Sequence, residues 1–384
     1  MGGKRVLALC TLGAILVAAC APASPGATSP GDAISAQPPA ARTLRVAVRV
    51  EPVSLARNPP REGQTTLDTT RRMFNAELAL IDDTGAVRPF LAEELPQLGT
   101  DTWRVLPDGR METVYRLKAG LTWHDGAPLA AEDVAFGRRV ISNPGLGHGG
   151  LIPQKLMEEV VALDERSVLF RWSQAFPDAG TLNTTFSPLP VRMLEASFEQ
   201  QSGDAFASHP FWSTAFVGSG PFRLTRWEPG AFIEAEAFSR YVLGKPKIDR
   251  VRITFAADPN AALTRLFADD VDLLADSVIK SQQLPALEQD WLSRGLGSFV
   301  SQPNSYRAAH FQLRPELVAP SALLDVRVRR ALAYAIDKQA VNEAVYRGAG
   351  IIATKIRSRL MGGLVPRRAR PSSAIRTTCG AQSS

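Results

Sequence analysis

His124 stands beside Asp125 in the stretch LTWHDGAPLAAEDVAFGRRV (121–140), with Glu132 and Asp133 close behind. An imidazole among three carboxylates is the inventory of a general acid–base site, in which histidine moves a proton near neutral pH and a carboxylate orients it. The same residues also spell a turn leading into a helix. Asp125-Gly126 suits a tight turn, because Asp bonds its own backbone and Gly accepts a positive φ. Glu132 and Asp133 would then stand in a first helical turn, where negative charge meets the helix dipole. On these residues alone both readings stand.

Other chemistries are poorly served. GLGHGG (145–150) fits the form G-x-G-x-x-G, but a dinucleotide fingerprint follows a strand and opens a helix. Here a helix-like stretch ending near Ile141 precedes it and Leu151-Ile152-Pro153 follows, so the segment reads as a loop carrying His148. The four histidines are His124, His148, His209 and His310, and none lies at helix-ligand spacing from another. Neither H-E-x-x-H nor the G-x-S-x-G nucleophile elbow occurs, so no metal and no cofactor is expected. Trp123, Trp172, Trp212 and Trp227 are scattered and read as core or interface residues.

The elements that must position these residues are strands and helices in mixed order. TLRVAVRV (43–50) alternates Leu44, Val46, Val48 and Val50 against Arg45, Ala47 and Arg49, the period of a strand. ETVYRLKAGLTW, SVLFRW, PFRLTRW, AFIEAEAF and DRVRITFAA read as further strands, divided by turns such as Glu228-Pro229-Gly230. Asp258 can cap, and Pro259 can open, a helix with Ala262, Leu263, Leu266 and Phe267 on one face. Asp325 can cap a long helix over DVRVRRALAYAIDKQAVNEAVYRG, with Val328, Leu332, Ala335 and Ile336 on one face. Such mixtures give an α/β class. At 384 residues the chain has room for two or three domains.

Charge is distributed unevenly. The formal net charge is +6, but eight basic residues and no acidic one follow Glu343, and Lys4 and Arg5 lie at the other end. Of the 44 basic residues these ends hold ten, which leaves 34 against 38 acidic ones in the body. No basic face interleaved with aromatics remains, so nucleic acid is not an expected partner.

The amino terminus has the form of a secretory signal: Lys4-Arg5, an apolar run from Val6 to Ala19, and the ending Val17-Ala18-Ala19-Cys20. Small residues before a cysteine resemble the lipobox of bacterial lipoproteins, which implies a diacylglycerol on Cys20 and cleavage before it. A plain signal peptide with an incidental cysteine is the alternative. APASPGATSPGDAISAQPPAA (21–41) lacks apolar periodicity and reads as a flexible tether. Cys10 would be discarded and only Cys379 left in the body, so no internal disulfide and no cysteine metal site is expected.

Four stretches, in order, resemble one family: ALIDDTGAVRPFLAEEL, VYRLKAGLTWHDGAPLAAEDVAFGRRV, the long block opening GSGPFRLTRW and ending FADDVDLL, and LLDVRVRRALAYAIDKQAVNEAVYRG. The chain is similar to the extracellular solute-binding proteins of family 5, the peptide and nickel receptors of ABC importers. The resemblance runs from about Thr43 to about Gly348 and implies that the His124-Asp125-Gly126 stretch is structural. It departs at Ala130, where the family often has a Thr or Ser cap.

The resemblance implies an α/β protein of the two-lobe periplasmic-binding-protein type with a hinge. It would capture a solute, most readily a peptide, and deliver it to an ABC permease; with the lipobox at Cys20, a lipid-anchored monomer outside the cytoplasmic membrane is expected. The expected segments are a signal (1–19), the tether (20–42), a first lobe (43–276) with an inserted subdomain (about 58–184), part of a second lobe (277–349) and an unmatched basic tail (350–384). Ligand contacts are expected at Glu51, Pro52, Val53 and Ser54, and at Phe74, Asn75 and Ala76. The second lobe is expected to be incomplete, which would leave an apolar face on the helices after Asp325 uncovered; the tail reads as a shifted frame or a genuine basic segment. A periplasmic hydrolase and a sensing or adhesion receptor are the alternative functions.

Overall fold

The computed structural model describes residues 41–58, 68–82, 84–146, 153–182, 187–276, 278–300, 310–348, 350 and 352. Cys20, the tether up to residue 40, His148, Cys379 and the tail beyond 352 lie outside the described residues. The elements in chain order are β1 (Thr43–Val48), α1 (Asp68–Phe74), β2 (Ala79–Ile81), β3 (Val87–Pro89), β4 (Trp103–Val105), β5 (Met111–Arg116) and α2 (Ala131–Ile141). Next come β6 (Met157–Ala162), β7 (Ser167–Trp172), α3 (Val191–Gln200), α4 (Gly203–Ala207), β8 (Phe222–Glu228), β9 (Phe232–Ala237) and β10 (Arg250–Phe255). The chain continues through α5 (Pro259–Phe267), β11 (Leu273–Leu274), α6 (Leu284–Asp290), α7 (Val326–Ala335) and α8 (Lys338–Tyr346).

Among the described residues two larger sheets organise the chain, beside the two-stranded antiparallel pair β2-β3. The first has the order β11-β1-β10-β9-β8. In it β1 runs parallel to β10, from Thr43 opposite Arg250 to Val48 opposite Phe255, so the chain between them is one long excursion. The second, β4-β5-β7-β6, lies within that excursion and is antiparallel. The alternation read in β1 has a tertiary cause. Val46 and Val48 enter a core with Phe74, Phe136, Phe206, Phe211, Trp212 and Ile253, while Ala47 faces the other way, onto Leu263 and Leu266 of α5 and Leu287 of α6. A third core joins the second sheet to α2 through Tyr115, Phe170, Trp172 and Val134. Helix α2 therefore wedges between two cores, giving Val134 to one and Phe136 to the other.

Trp123, Trp172 and Trp212 are all buried. The Asp258 cap forms as read, its Oδ1 accepting from the Asn260 and Ala261 N–H groups at 2.7 and 2.8 Å. The single long helix read after Asp325 is instead two, α7 and α8. Asp325 caps the first, accepting from Arg327 N–H at 2.8 Å. Asp337 starts the second, accepting from Ala340 N–H at 2.9 Å. An Asp carboxylate that can satisfy free N–H groups favours a helix start over a helix interior, and the apolar periodicity across it concealed the break. No residue of α7 is buried, and Leu332, Tyr334, Ile336 and Val341 are exposed.

Candidate functional site

After β5 the chain makes the turn that carries His124. Gly126 takes φ +92° and donates to Trp123 O at 2.9 Å, while Asp125 Oδ1 accepts from Ala127 N–H at 3.1 Å. The His124 imidazole is buried, with the Phe238 ring edge-on at 5.0 Å. Its Nδ1 accepts from Gly218 N–H at 3.1 Å, so the proton sits on Nε2 and is donated to Gly220 O at 3.0 Å. Burial lowers its pKa to about 4. The ring is a neutral clamp across Gly218-Ser219-Gly220, with both nitrogens engaged.

Asp133 is equally committed. Its Oδ2 accepts from Ala130 N–H at 2.9 Å and from Trp123 Nε1 at 3.1 Å, and its Oδ1 accepts from Val191 N–H at 3.0 Å. The carboxylate thus reaches back to the start of α2 and does part of the work of the missing Ser or Thr cap. Burial raises its pKa. Asp125 Oδ2 pairs with Arg192, and Glu132 is exposed. The acid–base constellation therefore separates into a clamp, a turn and a helix start. Asp125→Asn keeps the turn acceptor and loses a half-exposed ion pair; it should cost about 0.5–1 kcal/mol in urea melts. A loss of solute affinity with no change in melting would instead place Asp125 at a binding site.

The two segments expected to contact ligand do meet, but most of their side chains point inward. Glu51 accepts from Trp227 Nε1 at 2.7 Å and from Gly230 N–H at 2.9 Å. Pro52 and Ser54 are buried, Ser54 Oγ accepting from Ala56 N–H at 3.1 Å; Val53 is 47% exposed. Phe74 packs edge-on to Phe216, and Ala76 is fully buried, its N–H donating to Ser219 Oγ at 3.3 Å. Asn75 ties the segments together: Nδ2 donates to Leu55 O at 2.7 Å and to Arg71 O at 3.0 Å, and Oδ1 accepts from Arg57 N–H at 3.1 Å.

Sequence reasoning missed the pair beside this junction. Arg57 Nε lies 3.0 Å from Glu77 Oε1. Burial pushes the Glu77 carboxyl up to about 6, against the pull of Arg57, Arg72 and Arg71. The sequence offered only nearness: Glu77 directly follows Ala76, and Arg57 lies three residues after Ser54. A separate polar recess is lined by His124, Asp125, Arg223, Glu236, Ser239 and Arg240; within it Glu236 pairs with Arg223. Among the described residues no group of three His, Cys, Asp or Glu side chains is placed to hold a metal.

The sequence model of bacterial extracellular solute-binding proteins, family 5 Middle, matches residues 93–364, which include the His124 turn, the Gly218–Gly220 bridge and α7–α8. The chain belongs to this family. Curated relatives within reach of this family-5 chain include the dipeptide-binding protein of Escherichia coli (strain K12), 26% identical over 76% of this chain and 54% of its own length. The oligopeptide-binding protein AppA of Bacillus subtilis (strain 168) is 25% identical over 73% of this chain and 48% of its own. The chain spans about half the length of the curated relatives it matches.

Solved structures share the fold. NikZ from Campylobacter jejuni, in complex with Ni(L-His), superposes with a TM-score of 0.61 at 22% identity, over 81% of this chain and 56% of that one. AppA from Bacillus subtilis, in complex with a nonapeptide, gives 0.59 at 22% identity, over 81% and 57%. The architecture is that of two-lobe solute-binding proteins, as the four sequence blocks implied.

Proposed function

We propose that the chain captures a peptide outside the cytoplasm and passes it to an ABC permease in the cytoplasmic membrane. The family match over 93–364 carries this reading, and relatives named for dipeptides and oligopeptides favour peptide over other solutes. A hydrolytic role loses its best candidates, because His124 and Asp133 spend their nitrogens and oxygens on backbone and indole N–H groups and on Gly220 O. The junction of residues 51–57 with 74–77 is the proposed contact region. Val53, the backbone of that loop and the Arg57–Glu77 pair are its means of contact, while Phe74, Asn75 and Ala76 hold its shape. A ligand that binds only the folded state stabilises it by about 2.7 kcal/mol at a hundredfold excess over Kd. Peptides of two to nine residues should therefore raise the melting temperature of the purified protein by several degrees, where sugars do not. Cleavage of those peptides without any shift would overturn the reading.

The same proposal places the protein as a monomer on a lipid anchor at Cys20. It is supported by Lys4-Arg5, the apolar run and Ala18-Ala19-Cys20. Cys20→Ser should move the protein from the membrane to the soluble fraction or block its maturation. A variant that still fractionates with membranes at the mature mass would sink the anchor.

A further inference from the structure

His124 belongs to a continuous buried polar route that ends at the proposed contact loop. From the imidazole it enters the Gly218–Gly220 bridge through three bonds: Nδ1 from Gly218 N–H, Nε2–H to Gly220 O, and the His124 backbone N–H to Gly218 O at 2.9 Å. The bridge then grips the end of α1. Gly220 N–H donates to Phe74 O at 3.1 Å, and Ser219 Oγ accepts from Ala76 N–H. Asn75, between those two residues, bonds Leu55 O and Arg57 N–H of the loop. His124, Ser219 and Asn75 are all buried. There is no slack along the route, because a Cβ at Gly218 would lie 2.0 Å from Phe74 O and one at Gly220 would lie 2.5 Å from Asn75 N.

We propose that His124 is a positioning residue for the loop 51–57, acting through the Gly218–Gly220 bridge and Asn75. The role assigned to that loop rests on the reading given under Proposed function. The physical reason is local. Without the imidazole, Gly218 N–H and Gly220 C=O are left unpaired in a buried place, and an unpaired buried group is costly enough to draw backbone toward water. Because bridge and α1 share hydrogen bonds at van der Waals contact, the shift reaches Asn75 and then Arg57. The groups facing the imidazole are Phe238, the charges of Arg223 and Asp125, and, in the adjoining recess, Glu236 and Arg240. Protonation of His124 removes the Gly218 acceptor, so acid should loosen the same loop.

Amide hydrogen exchange on the full chain tests this without any solute, so it can fail while solute capture stands. In His124→Ala at pH 7 the Ala56 and Arg57 amides should lose at least roughly tenfold more protection than the amides of Val168–Trp172. Thr113→Val, which removes the 3.0 Å bond from Trp172 Nε1 to Thr113 Oγ1, should reverse that order. With intrinsic exchange rates divided out, the ratio of wild-type to His124→Gln protection at Ala56 and Arg57 should fall roughly tenfold from pH 7 to pH 5, a comparison in which the opposite contribution of Glu77 cancels. Equal losses at the loop and at β7 in His124→Ala, or a pH profile shared by wild type and His124→Gln, would overturn the proposal. If neither variant folds, Glu77→Gln protection at Ala56 and Arg57 that does not fall toward pH 5 overturns it.

Discussion

Gly218→Ala is expected to destabilise the protein by more than about 3 kcal/mol, enough to leave much of a marginally stable fold unfolded. The added Cβ would meet Phe74 O at 2.0 Å, Phe216 Cε1 at 2.7 Å and His124 Cε1 at 3.1 Å. The nearest of these is backbone at the end of α1, held by Gly220 N–H and flanked by Asn75, whose side chain is bonded on three sides. It cannot rotate away as a side chain would. Gly220→Ala should behave alike, with its Cβ 2.5 Å from Asn75 N and 2.7 Å from Met73 O. The contrast is Gly109→Ala. Gly109 has φ +86° and no atom within 4 Å of the added carbon, so it incurs only conformational strain of about 1 kcal/mol. Equilibrium denaturation of the three variants should rank Gly218→Ala and Gly220→Ala well apart from Gly109→Ala. A Gly218→Ala protein within about 1 kcal/mol of Gly109→Ala would mean the bridge is not close-packed on α1.

The sequence exposed what local physics decides. The period of β1, the Asp258 cap and the Asp125-Gly126 turn follow from side-chain alternation, capping chemistry and positive φ, and each is visible within a few residues. It hid what distant partners decide. The start of α2 lacks a capping residue at Ala130, and the compensating acceptor, Asp133, is recognisable only once Trp123 and Val191 are seen to converge on it. The break between α7 and α8 lay inside an unbroken apolar pattern. Strand β6 carries Glu158-Glu159 and a register shift between Met157 and Glu159, which spoils the period of two. At the candidate site the family resemblance pointed to two segments, and Asn75 ties them together through Leu55 O and Arg57 N–H. Orientation was not legible, because whether Phe74 faces a solute or a core depends on Phe216, which is far away in sequence. The four blocks carried the family itself, and the family match confirms it.

Stability between neutral and acid pH should depend on buried groups of opposite sign, His124 on one side and Glu77, together with Asp133, on the other. His124 titrates at about 4 in the folded protein against an ordinary 6.5, because burial opposes the charged ring. The unfolded chain therefore binds its proton first, and the stabilisation from the neutral clamp is complete above pH 6.5 and lost as pH falls toward 4. The difference corresponds to about 3 kcal/mol. Glu77 runs the other way. Its folded value of about 6 lies above an ordinary 4.5, because burial opposes the carboxylate. The folded chain holds that proton more tightly, so Glu77 adds stability as pH falls from 6 to 4.5, by about 2 kcal/mol. Wild type should thus lose little between pH 6 and 4.5, and single substitutions should separate the terms. The stability gap between wild type and His124→Gln should shrink by about 3 kcal/mol from pH 7 to pH 4. In Glu77→Gln the acid-side gain disappears, so this variant should lose stability from pH 6 to 4.5 where wild type nearly holds. Urea unfolding at four or five pH values measures both. A wild-type to His124→Gln gap that is constant with pH would show the imidazole to titrate normally and would remove the clamp as the source of acid sensitivity.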